Sequence, residues 1–148
     1  MRLLCSGSPG VHEGADRALT NVAINDANEA AIAAAGGIPP LVRLLSSSSE
    51  GVQERAARAL EILAVNNANR AAIAAAVGIP PLVRLLGSGS EGVQERAAEA
   101  LGILAASNHA NQAAITVGGA IPALERLLGS GSTGGQEGAA GALANLRR

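Results

Sequence analysis

The sequence contains no phenylalanine, tyrosine, tryptophan or lysine. Without aromatic rings no single side chain buries a large area, so a core must be assembled from many Leu, Ile, Val and Ala contacts between closely spaced elements. Without lysine every cation is an arginine, and the eleven of them are scattered rather than gathered into a basic block, in a chain of formal net charge −1. That argues against nucleic acid as a partner, because phosphate binding needs a concentrated positive face. Cys5 is alone, which excludes an internal disulfide and favours a reducing, intracellular compartment, cytoplasmic or nuclear. No run of about eighteen apolar residues is present, and the opening MRLLCS is too short for a signal peptide's apolar core, so a soluble chain without membrane contact is expected. His12 and His109 have no Cys, Asp or second His at metal-ligand spacing. Neither a metal nor a cofactor is expected.

What the sequence does contain is itself, several times over. The segment that starts at Ile38, IPPLVRLLSSSSEGVQERAARALEILAVNNANRAAIAAA, returns at Ile79 as IPPLVRLLGSGSEGVQERAAEALGILAASNHANQAAI, with about four in five of its first thirty positions unchanged. Its tail half opens the chain and its front half closes it. The 148 residues therefore divide into a partial repeat over 1–37, repeats over 38–78 and 79–120, and a partial repeat over 121–148.

Each unit reads as three helices. In the complete unit the first is short and Ala-rich, Asn69 to Ala76. The next starts at proline, where a missing donor costs nothing, and spans Pro80 to Leu86. The third runs from Glu91 to Ala106 behind a serine that can cap it. The equivalents are Asn28 to Ala35, Pro40 to Leu45 and Glu50 to Val65, and later Asn111 to Val117, Pro122 to Leu128 and Thr133 to Leu146. A long helix ending near Ile24 and the stump Met1 to Cys5 stand at the front. In the third helix Val52, Ala56, Ala59, Leu60 and Leu63 form one apolar face at helical spacing. His109 reads as one inserted residue in the turn before the last unit. No segment alternates as a half-buried strand would, so the fold class is all α.

A unit built from a short helix, Gly, a Pro-initiated helix (GIPPLVRLL, Gly37 to Leu45), a Ser-rich turn and a long helix (EGVQERAARALEILA, Glu50 to Ala64) resembles the armadillo repeat. HEAT repeats, with two helices per unit, lack the short helix before Gly-Ile-Pro-Pro. The resemblance implies a right-handed α-solenoid, a superhelix of three-helix repeats, whose third helices line a concave groove for extended peptides or partner segments. It also implies two groove slots, a Trp and an Asn four residues later. Here the Trp slot holds Arg17, Arg58, Glu99 and Gly141, and the Asn slot holds Asn21, Ile62, Ile103 and Asn145. An Asn amide can pair with a ligand's main chain and Ile cannot, so the middle of the groove is expected to prefer apolar side chains. Ile62, Val65, Ile103 and Ala106 either form an exposed apolar patch or are buried by neighbouring third helices; the residues leave both open.

The stretches GSGSEG at Gly87 and GSGSTG at Gly129 match a dinucleotide-binding pattern, but that chemistry needs a preceding strand, and a helix is expected there. The recurring Glu13, Glu54, Glu95 and Glu137 read as a solvated face in the first turn of each third helix, favoured by the dipole. The slot of His12, Gln53 and Gln94 reads as solvent-facing. No Ser, His and Asp set is arranged by the repeat, so the expected function is a non-enzymatic protein-binding scaffold. The partner-binding candidates are Arg17, Asn21, Arg58, Ile62, Glu99, Ile103 and Asn145. The alternative is a self-associating solenoid with no separate ligand, a homo-oligomer joined through uncapped ends where Ala139, Ala142, Leu143 and Leu146 lack a following layer. Leu60→Asp is expected to unfold the chain by burying an unpaired charge, to be read as loss of helical circular dichroism.

Overall fold

A computed structural model of the chain describes residues 36–147. The expected helices before residue 36, together with Cys5, His12, Glu13, Arg17 and Asn21, lie outside the described residues. Within them eight helices follow one another: α1 Ile38–Leu44, α2 Glu50–Leu63, α3 Asn67–Ala75, α4 Ile79–Leu85, α5 Glu91–Ala105, α6 His109–Val117, α7 Ala120–Ser130 and α8 Thr133–Leu146. No strand occurs among the described residues. Helix α7 begins two residues before its expected proline and runs two past Leu128, which puts Gly129 and Ser130 of the GSGSTG stretch inside a helix. The GSGSEG stretch likewise follows the helix α4.

The starts of the long helices are set by serine. Ser49, Ser90 and Ser132 each accept a hydrogen bond through Oγ from the third residue on, Val52, Val93 and Gly135. Just inside each cap a glutamine closes the preceding turn: Gln53 Nε2 donates to Ser47 O at 2.7 Å, Gln94 Nε2 to Ser88 O at 2.5 Å and Gln136 Nε2 to Gly131 O at 3.1 Å. Gln53 and Gln94 are half-buried as a result, which corrects the solvent-facing expectation for their slot.

The core is continuous and aliphatic. Val52, Ala56, Ala59, Leu60 and Leu63 of α2 are fully buried, and so are Val93, Ala97, Ala100, Leu101 and Leu104 of α5. The third helices α2, α5 and α8 stack in that order, with α5 between the other two, while α1, α4 and α7 pack against their own units' long helices. At the α5–α8 contact the approach is close enough that a Cβ on Gly102 would lie 3.3 Å from the Ala142 Cα. On α8, Ala139, Ala142 and Leu143 are buried and Leu146 is half-buried, turned back into the array. This corrects the expectation that they would lack a covering layer. At that end the open apolar positions are Ala140, Ala144 and Leu128, which is 45% exposed where its counterparts Leu45 and Leu86 are 2% and 3% exposed.

Polar groups lock unit to unit. Asn69 and Asn111 are buried, and each donates from Nδ2 at 2.9 Å to the carbonyl of Leu63 or Leu104, tying a short helix to the end of the long helix before it. Arg70 reaches further, donating to Ala64 O at 2.7 Å from Nε and to Ala106 O at 2.8 Å from Nη1, so one guanidinium joins the ends of α2 and α5. The recurring glutamates also act across units. Glu54 and Glu95 are half-buried, and a Cβ added to Gly92 would lie 2.7 Å from the Glu54 Oε2, with Glu95 crowding Gly134 in the same way. Each carboxylate thus lies over the first turn of the next long helix, where the positive end of that helix's dipole favours it, rather than on a solvated face of its own.

The extra residue before the last unit is placed differently from the expectation. Asn66 caps α3 and Asn108 caps α6, and three residues after each comes the buried Asn, so His109 is the first residue of a helix with its Nδ1 3.2 Å from Gln112 Oε1. The additional length is taken up by Ser107, whose φ is +53°. One other non-glycine residue among those described has positive φ, Val77 at +61°, in the slot where the flanking units carry Gly36 at +77° and Gly119 at +86°. A β-branched side chain there is strained by about 1–2 kcal/mol, and Val77 is 65% exposed, so its packing returns little. After allowing for the greater unfolded-state freedom of glycine, Val77→Gly is expected to stabilise the chain by about 1 kcal/mol, a rise of about 2–4 °C in a thermal melt.

Candidate functional site

Where α2, α5 and α8 lie side by side, the repeat presents the same slots in register. Among the described candidates, Arg58 on α2 is exposed, while Ile62 of α2, Glu99 and Ile103 of α5 and Asn145 of α8 are half-buried. Both isoleucines pack against the core at one edge and keep the other open, which places them between the two alternatives the sequence left standing. Val65 beyond them is 64% exposed and Ala106 is half-buried. Arg17 and Asn21 lie outside the described residues.

A cleft of about 290 Å³ opens between α5 and α8 and gathers three of these candidates, Glu99, Ile103 and Asn145. Its floor is made of Gly102, Gly138, Gly141 and Ala142, and Glu61, Glu99 and Glu137 bring three carboxylates to it. The hollow exists because of what α8 omits. In the slots where α2 carries Arg55 and Arg58, and α5 carries Arg96 and Glu99, α8 has Gly138 and Gly141. A Cβ on Gly141 would meet nothing within 4 Å. Asn145 spends one of its two donors inside the fold, with Nδ2 giving a 2.8 Å hydrogen bond to the Gly102 carbonyl across the α5–α8 seam. The second Nδ2 hydrogen and the Oδ1 acceptor are the parts of that amide left for anything outside.

Charge in the cleft is unevenly balanced. Arg96 Nη1 lies 3.2 Å from Glu99 Oε2 on its own helix and 4.0 Å from Glu61 Oε2 on α2. Glu99 therefore pairs with Arg96 rather than with Arg58. The Glu61 Oε2 is buried and accepts no hydrogen bond. Burial, then the charge of Glu99 and a hydrogen bond shared with it, raise Glu61 from the ordinary 4.5 to about 7, against the lowering influence of Arg96 and Arg58. Nothing in the repeat pattern announced Glu61. Its counterpart on α5 is Gly102, and the one signal was that this single position differs so sharply between two otherwise near-identical copies.

The architecture is that of a right-handed α-solenoid, with three-helix units stacked one behind another and their third helices side by side on one face. The Armadillo/beta-catenin-like repeat model matches residues 25–65, 66–106 and 108–148, and the chain belongs to that family. Among solved structures it is similar to an engineered protein, with a TM-score of 0.92 and 38% identity over 99% of this chain and 60% of the other. It is similar also to a designed armadillo repeat protein in complex with the peptide (KR)4, with a TM-score of 0.89 and 33% identity over 98% of this chain and 62% of that one. A structure of computationally designed armadillo repeat proteins for modular peptide recognition matches with a TM-score of 0.91 and 33% identity over 97% of this chain and 61% of its own. The chain thus spans about three fifths of the length of these structures. No curated protein matches it. No helix among the described residues is long and apolar enough to cross a membrane.

The raised Glu61 has a consequence for stability. A group that holds its proton more tightly folded than unfolded favours the fold below its unfolded value and loses that contribution as pH rises through its folded value. The window here runs from 4.5 to about 7. Glu61→Gln, neutral throughout, is expected to be more stable than the parent by about 2 kcal/mol at pH 8, with the advantage closing toward pH 4.5. Urea unfolding at both pH values measures it.

Proposed function

We propose that the chain is a non-enzymatic scaffold that holds an extended peptide, or an extended segment of a partner protein, across the face where α2, α5 and α8 lie side by side. The observation that carries this reading is the α5–α8 cleft. Glycine and alanine along its floor leave room for a ligand's main chain and one side chain, and the apolar wall of Ile103 stands beside the carboxylates of Glu61, Glu99 and Glu137. Arg58, Ile62, Glu99, Ile103 and Asn145 would contact the ligand, with Arg17 and Asn21 extending the track into the preceding unit. The designed relative that holds (KR)4 supports a peptide as the partner class, and the cationic side chains of that peptide agree in sign with the carboxylates of this cleft.

Gly141 offers a clean test, because its missing side chain faces open space. Gly141→Leu fills the cleft, and by replacing a helical glycine it is expected to hold or raise stability by up to about 1 kcal/mol. Selection from a library of random octapeptides is expected to enrich binders to the parent chain that Gly141→Leu fails to capture while melting no lower. A library that enriches nothing, or binders indifferent to the substitution, would remove the reading.

A further inference from the structure

The groove is not uniform in charge along its length. The slot one repeat apart reads Arg58, Glu99 and Gly141, so its sign changes from one layer to the next. Arg58 is exposed and lies within ion-pair distance of no carboxylate among the described residues, Glu99 being engaged by Arg96, although its charge is felt by Glu61 three residues on in α2. Toward α8 the balance reverses. Gly138 removes the arginine that Arg55 and Arg96 supply in the two preceding long helices, and Glu61, Glu99 and Glu137 face the cleft with Arg96 close to two of them. Beside Arg58, one turn further along α2, stands Ile62, and Ile103 forms a wall of the cleft; both are half-buried, with side chains that carry no hydrogen-bonding groups.

Resting on the reading of this face as a peptide groove, we propose that it selects a segment of mixed charge: an acidic side chain against Arg58 and a basic side chain in the α5–α8 cleft, joined by small apolar residues over Ile62 and Ile103. The spacing follows from packing. Neighbouring helices lie about 8–10 Å apart, so Arg58 and the centre of the cleft between α5 and α8, one and a half layers away, are separated by about 12–15 Å, with Glu61 reaching the cleft from Arg58's own helix. An extended chain rises about 3.3 Å per residue, which sets the two charges about four positions apart. Each pole repels the wrong sign, so the groove discriminates by repulsion as well as by attraction.

The test uses three capped, dye-labelled peptides at low ionic strength: Asp-Ala-Ala-Ala-Arg, Arg-Ala-Ala-Ala-Arg and Asp-Ala-Ala-Ala-Asp, titrated with the parent chain, Arg58→Glu, Arg58→Gln and Gly141→Leu by fluorescence anisotropy. The mixed-charge peptide is expected to bind the parent about fivefold more tightly than either like-charged one, the contribution of a single partly exposed ion pair. On Arg58→Glu the preference passes to the dicationic peptide, and on Arg58→Gln the acidic end ceases to matter; circular dichroism confirms that both fold. A dicationic peptide that binds the parent best, or an order of affinities that Arg58→Glu leaves unchanged, overturns the mixed-charge inference and leaves the groove reading standing. Failure of every peptide to bind, or binding that Gly141→Leu does not disturb, overturns the groove reading and this inference with it.

Discussion

Everything in this array depends on how closely the long helices approach one another. With no aromatic ring and few large side chains to span a gap, α2, α5 and α8 cohere because alanine and glycine at Ala56, Ala57, Ala97, Ala98, Gly102 and Ala139 let their backbones come near, and leucines fill the remaining space. Small residues bury little area each, so cohesion is spread over many contacts. The hydrogen bonds from Asn69, Asn111 and Arg70 to helix-end carbonyls then fix the angle at which each unit meets the next. A solenoid of this kind is a sum of units and seams, not a body with one centre.

The same closeness sets the chemistry of the exposed face. Where a seam is lined by glycine, as at Gly102 against Ala142, the helices touch; where Glu61 occupies that slot one unit earlier, a carboxylate is trapped beside a second one and holds a proton near neutrality. Two nearly identical copies of one motif thus produce two unlike seams. Function in a repeat protein resides in such departures from the repeat, because the shared positions are committed to cohesion.

That division explains what could be read in the residues alone. The starts of the long helices were legible because serine caps and glutamate- or threonine-led first turns are local signals, and the buried faces were legible because their spacing is helical. The roles of Gln53, Glu54 and Arg70 were not, since each depends on a carbonyl or a helix start in a different element. Counting positions misplaced the inserted residue. Asn108 and Asn111 keep the capping and buried roles of Asn66 and Asn69, so backbone geometry at Ser107, not residue identity, accommodates the extra length. The half-open state of Ile62 and Ile103 follows from the angle between layers, which no single unit encodes.

Ser107 also shows where this architecture tolerates growth. The long helix ends, one residue adopts a left-handed turn, and the following helix resumes on the same anchor points as its counterpart, so the cap and the buried asparagine contact are kept across an added residue. A connection that absorbs length in this way is a natural port for grafted sequence. Additional recognition elements could be hung there, beside the receptive face, with those anchor points held beneath them.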